Sequence, residues 1–165
     1  MIITNECIQF HEIIPFVFVI AAACMASCEG FTVGLELLLP WASTDEDVVQ
    51  MISRFDVISH ELFASHGTRV PFRVGCMLAV PRACMEFKTS KEDQIVDFIT
   101  INCDVLTEMV YGISKAEFCF VSQTGHHKTR NPFEKIDFKG VGSLIKTAIL
   151  RSHHASASTK VFIVT

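Results

Sequence analysis

The first 53 residues contain neither lysine nor arginine, yet they carry seven carboxylates: Glu6, Glu12, Glu29, Glu36, Asp45, Glu46 and Asp47. A positively charged start, which a secretory leader needs, is therefore missing ahead of the apolar run 13–24. That run also falls short of the roughly 20 apolar residues that span a bilayer. Tryptophan and tyrosine are nearly absent, one of each against fourteen phenylalanines. That balance argues against an aromatic stacking surface and for plain aromatic bulk in a core. Only 19% of the residues are charged and 50% are hydrophobic, so the chain has the composition of a folded protein. There is no Walker loop, no dinucleotide-binding glycine fingerprint and no Gly-x-Ser-x-Gly elbow. A zinc-protease helix is excluded as well, because the position four residues after His60 is Ala64.

The seven cysteines are an odd number in apolar surroundings, as with Cys76 and Cys119. They read as buried thiols in a reducing, cytoplasmic compartment, without a disulfide framework. The Phe residues beside Cys119 argue against a Cys–His nucleophile with His126 or His127. Cys7, His11, Cys24 and Cys28 have a spacing reminiscent of a zinc module, but the segment between them reads as a continuous apolar strand, so no metal is assigned.

At 165 residues the chain fits one globular domain, 1–165. Residues 2–10 and 13–22 read as strands, the second buried on both faces. Residues 35–39 form a short apolar run. The hydroxyls and carboxylates of 43–47 start a helix that an apolar stripe carries to about residue 64, with Gly67 as its stop. Residues 70–80 read as a strand that 84–87 extend, 95–110 as a second helix ended by Gly112, and 118–121 as a short strand. A third helix covers 144–150, and 161–164 close the chain as a strand. The fold class is α/β, with α+β as the alternative: a single-layer mixed sheet packed with about three helices.

Charge is distributed unevenly. Against the acidic first third, residues 128–165 hold seven basic side chains and two acids. In or just before that span lie His126, His127, His153 and His154. Such polarity bears on ligand charge and self-association. With a pI of about 5.9 and no aromatics interleaved among the basic residues, nucleic acid is not the expected partner.

The densest chemistry lies in two similar segments. His66-Gly67-Thr68-Arg69-Val70-Pro71-Phe72 and His127-Lys128-Thr129-Arg130-Asn131-Pro132-Phe133 agree at five of seven positions. On extended backbone a His and the Thr two residues later share a face, so imidazole and hydroxyl can grip one phosphoryl oxygen. The adjacent arginine offers a planar fork for phosphate or carboxylate. The pair resembles the two His-x-Thr motifs of the 2H phosphoesterases. That resemblance implies His66 and His127 as the acid–base pair, with Thr68 and Thr129 as phosphate ligands.

The leading expectation is a soluble protein binding a small anionic, phosphate-bearing, nucleotide-like ligand. His66, Thr68, Arg69, His126, His127, Lys128, Thr129 and Arg130 would line its site, and the enzymatic form of this reading is 2H-like phosphodiester cleavage. The alternative is a non-catalytic interaction or structural subunit, self-associating through its acidic N-terminal and basic C-terminal regions. No cofactor, metal ion or membrane is expected, and a homo-oligomer is allowed.

Overall fold

The structure, a computed structural model, describes residues 6–40, 44–86, 96–123, 131–155 and 159–164. Among these residues the elements run α1 (Glu6–Cys28), β1 (Leu35–Leu39), α2 (Asp45–His66), β2 (Phe72–Leu78), α3 (Pro81–Glu86), β3 (Phe98–Asn102), α4 (Cys103–Tyr111), α5 (Lys115–Gln123), α6 (Val141–Ala155) and β4 (Lys160–Val164). The sheet order is β1-β2-β3-β4. β2 pairs parallel with β3, Gly75 opposite Phe98, and β3 pairs parallel with β4, Thr100 opposite Phe162. The α/β class is as expected. The sheet expected to be mixed is parallel in these two pairings, and the helices number six rather than about three. The short helices α3, α4 and α5 lie in stretches whose residues read as strand, or as one long helix. No helix among the described residues is long and apolar enough to cross a membrane.

The chain divides into two compact units, 1–37 with 50–73 and 38–49 with 74–165. The first unit corrects the N-terminal reading. Residues 13–22 are not a buried strand but the middle of α1, 23 residues long. Nearly every residue there is apolar, so neither the strand nor the helix period stands out, and length becomes the arbiter: strands run about 4–8 residues. The helical face that turns inward carries Phe16, Ile20, Ala23 and Cys24, at intervals of three and four. Ile20, Ala23 and Cys24 pack with Leu37 and Val70, flanked by Leu62, Phe63 and Phe72. The rings of Phe16 and Phe55 lie 4.8 Å apart at 60°. Arg73 forms an ion pair with Glu36 on the surface of this unit.

In the second unit, α2 begins where the hydroxyl and carboxylate run placed it. Thr44 Oγ1 accepts from the Asp47 N–H at 3.2 Å and Asp47 Oδ2 accepts from the Thr44 N–H at 3.0 Å, a reciprocal cap on two otherwise orphaned donors. The stretch expected to be one helix over 95–110 is instead a strand followed by a helix. Phe98 to Ile101 are buried on both faces, as a strand flanked by two parallel neighbours must be. Before it, the Val74 N–H donates to Asp97 Oδ2 at 2.8 Å and the Asp97 N–H to the Val74 carbonyl at 2.7 Å, clamping the start of β3 to β2. The expected strand extension at 84–87 is α3, opened by Pro81, whose fixed φ suits a first helical turn. The expected strand at 118–121 is part of α5, whose start is capped by Ser114 and Glu117 exchanging bonds of 2.7–3.1 Å. Cys119 is consequently exposed rather than buried. α6 packs on α3 and α4.

Asp137 organises the turn ahead of α6. Its carboxylate accepts from the N–H groups of Gly140 (3.1 Å) and Lys139 (3.0 Å) and from the Tyr111 hydroxyl (3.2 Å). The Gly140 and Lys139 bonds hold its pKa below the ordinary aspartate value of 3.8. A folded-state pKa below the unfolded one means stability that is complete above the unfolded value and is lost as pH falls through the folded one. Asp137→Ala should therefore be less stable than the parent at neutral pH. That deficit should shrink once the pH drops below 3.8, a trend read from urea denaturation of both proteins across acidic pH. A deficit independent of pH would rule the carboxylate out as its source.

Candidate functional site

In parallel α/β sheets, ligands sit outside the carboxyl ends of the strands, where the backbone turns into helices and leaves polar groups unpaired. Here that edge belongs to the second unit. β2 leaves Leu78 for Pro81 at the head of α3, β3 leaves Asn102 directly for α4, and β4 ends at Val164. Asn102 has extended backbone (φ −92°, ψ 104°), and its side-chain oxygen accepts from the Val105 N–H at 3.1 Å. One residue into α4, Asp104 Oδ2 accepts from Lys115 Nζ at 2.5 Å. Glu108 Oε1 accepts from the Lys115 backbone N–H at 2.8 Å, tying α5 back to α4. The Asp104 hydrogen bond raises the Lys115 pKa, so the ammonium is charged throughout the neutral range. The cluster thus offers one fixed cation, two carboxylates and an amide side chain. Arg82 at the head of α3 is engaged with Glu86 at 3.3 Å.

The thiols around this edge are passive. Burial pushes Cys84 up to about 11, with the nearby Cys103 thiol adding to it, and pushes Cys76 up to about 12. Burial likewise raises Cys103. Thiols this weakly acidic hold almost no thiolate at neutral pH and make poor nucleophiles. No group of three or more metal-ligating side chains is gathered among the described residues.

The residues singled out by sequence fall elsewhere. His66, expected on extended backbone, is the last residue of α2, and Gly67 follows with φ +66°. The extended geometry that would put His66 and Thr68 on one face is therefore interrupted by a helix end. His66 Nδ1 lies 2.9 Å from the Leu62 carbonyl and 3.0 Å from the Ser65 hydroxyl, which itself donates to that carbonyl. The imidazole thus sits at one of the orphan carbonyls that terminate the helix. Thr68 and the exposed Arg69 line a surface cleft of about 350 Å³ with His60, Phe63, Ala64 and Gly67.

In the second copy of the motif, His126, His127, Lys128, Thr129 and Arg130 lie outside the described residues. Its tail is visible. The Phe133 N–H donates to Asn131 Oδ1 at 2.9 Å, and the Phe133 ring meets Phe118 edge-on at 6.0 Å. The first tail instead runs into β2, with Phe72 at 6.4 Å from Phe63. Like-worded Pro-Phe segments therefore end in a turn in one case and a strand in the other. Of the remaining histidines singled out, His153 is exposed on α6.

Asn102, Asp104 and Lys115 were missed by the sequence reading. The signal was present as Asn-Cys-Asp directly after four β-prone residues, a strand ending in a cap, but it was absorbed into one long helix.

Fold and edge together describe a parallel α/β protein with a polar cluster at the carboxyl ends of its strands. No protein-family profile matches the chain. It is similar to the pyruvate, phosphate dikinase of Giardia intestinalis, 32% identical over 135 residues, covering 79% of this chain and 15% of that protein. It is also similar to the chloroplastic pyruvate, phosphate dikinase of Flaveria trinervia, 31% identical over 143 residues, covering 85% of this chain and 15% of that one. Pyruvate, phosphate dikinase 2 of Oryza sativa subsp. japonica is 27% identical over 143 residues. The chain spans about 15% of the length of these relatives.

This similarity overturns the 2H-phosphodiesterase reading. It runs through most of the chain, whereas the His-x-Thr resemblance rested on two seven-residue windows, the first of which is a helix terminus. The same finding displaces the alternative of a purely structural, charge-paired subunit.

Proposed function

We propose that the chain is a pyruvate, phosphate dikinase-like segment that takes part in phosphoryl transfer. Its ligand is a small anion of the pyruvate or phosphate kind, held at the carboxyl edge of β2, β3 and β4. The observation that carries this reading is the 31–32% identity sustained over 135–143 residues to two such dikinases. The parallel sheet supports it, since that edge is where α/β proteins place small ligands. The Lys115 ammonium, paired with Asp104, is a cation an anionic ligand could share, and Asn102 at the end of β3 carries a side-chain amide. Because the chain covers about 15% of those relatives, the reading concerns binding by one segment, not a whole reaction.

The test is a backbone-amide NMR titration of the chain with pyruvate and, separately, with inorganic phosphate. Saturable shifts at residues 78–82 and 102–105 are expected with at least one of them. Lys115→Ala should weaken that binding by roughly tenfold, the worth of one charge-assisted hydrogen bond. Saturable shifts confined to other residues, or none with either anion, would refute the reading.

A further inference from the structure

Lys115 is attached to α4 at two points. Its backbone N–H donates to Glu108 Oε1 at 2.8 Å, and its ammonium donates to Asp104 Oδ2 at 2.5 Å. Asp104 and Glu108 are four residues apart, so they share one face of α4 about one helical turn from each other. The lysine stem spans that turn. It carries the charge from the start of α5 to the first turn of α4, two residues beyond Asn102 at the end of β3. Glu108 therefore fixes where Lys115 begins, and Asp104 occupies the charge where it arrives. The pair is open to water, with the lysine and aspartate side chains 53% and 33% exposed. An ion pair that exposed is held weakly and exchanges partners readily.

We infer that Asp104 masks the Lys115 ammonium and thereby limits and selects the anions that this edge accepts. The masking presupposes the anion-binding reading above and adds to it a residue that works against affinity. An incoming anion meets a neutralised cation. It must share the ammonium while lying close to a carboxylate of its own sign. That repulsion grows with the charge of the ligand, so a dianion such as phosphate is penalised more than a monocarboxylate such as pyruvate. Asp104→Asn removes the opposing charge and leaves the Glu108 anchor in place. The ammonium then stays at the same edge with its charge available.

The test is a backbone-amide NMR titration in mildly alkaline buffer, where inorganic phosphate is chiefly the dianion. Wild type, Asp104→Asn, Lys115→Ala and the double variant are each titrated with phosphate and with pyruvate. Asp104→Asn should bind both anions more tightly, by roughly three- to tenfold, with the larger gain for phosphate. In the Lys115→Ala background the gain should fall below about twofold, because no masked cation remains to be released. Should the asparagine disturb α4, the wild-type chain gives a second readout. Its Asp104 carboxyl-carbon resonance should move as either anion takes over the ammonium. An Asp104→Asn variant that binds no more tightly than wild type, an equal gain with and without Lys115, or an unmoved carboxyl resonance at saturation would each overturn the masking while leaving the anion-binding reading intact. A wild-type chain without saturable shifts at 78–82 and 102–105 would remove that reading, and the masking with it.

Discussion

Truncating Phe55 to alanine should destabilise the protein by about 3–5 kcal/mol, the usual range for removing a buried aromatic ring. Phe55 is 1% exposed and is among the largest fully buried side chains. Its ring meets Phe16 of α1 at 4.8 Å, tilted by 60°. The loss therefore has two parts: the transfer free energy of the ring, and a cavity whose walls include the Phe16 ring and collapse only partly. An aromatic pair in this geometry adds about 0.5–1.5 kcal/mol beyond its area. Phe55→Leu should cost less than half as much, because most of the volume remains. Chemical denaturation of both variants gives the comparison. A cost below about 1 kcal/mol for Phe55→Ala would mean that α1 does not pack on α2 through this ring.

Gly75→Ala should cost about 1–3 kcal/mol through overpacking, although it adds one carbon to a strand that glycine ordinarily weakens. A Cβ at residue 75 would lie 2.2 Å from Phe98 Cε2, 2.4 Å from Cζ and 2.5 Å from Cδ2. Gly75 and Phe98 are register partners on neighbouring strands, and the ring of Phe98 lies across the glycine. Its way out is obstructed, because Phe98 is 5% exposed and packs edge-on against Phe162 at 5.9 Å. For a chain of this length each kcal/mol lowers Tm by roughly 2–4 °C. Adding Phe98→Leu to Gly75→Ala should recover part of the loss, since the two residues share one space and their effects cannot be independent. If Gly75→Ala is as stable as the parent, the ring does not occupy that space.

Some of this protein was written locally. Thr44 and Asp47 set the start of α2 by hydrogen bonds within four residues. Gly67 and Gly112 end helices with φ of +66° and +64°, a conformation that glycine reaches without a Cβ penalty. The apolar stripe of α2 and the closing strand near 161–164 were legible for the same reason, because period and caps act over a few residues. The α/β class follows from the alternation of such segments.

Where every position is apolar, local pattern has nothing to distinguish. Residues 13–22 and 98–101 are both rich in Phe and Ile, yet one lies within a helix and the other in a strand. The difference is what covers them: α1 buries one stripe against Leu37 and Val70, while β3 has strands on both edges and is covered on both faces. The site followed the same division. The likeness of His66–Phe72 to His127–Phe133 is a fact of the sequence, but the conformation of each copy is set by its surroundings. His66 ends a helix and bonds to Leu62, and the two Pro-Phe tails go to a strand and to a turn. Lys115 and Asp104, eleven residues apart, meet only because Gly112 and the Ser114 cap turn α5 back toward α4. Composition, caps and period determined the class and several boundaries. Burial and chain reversal, which depend on residues far apart, decided which apolar runs became strands and which polar groups came together.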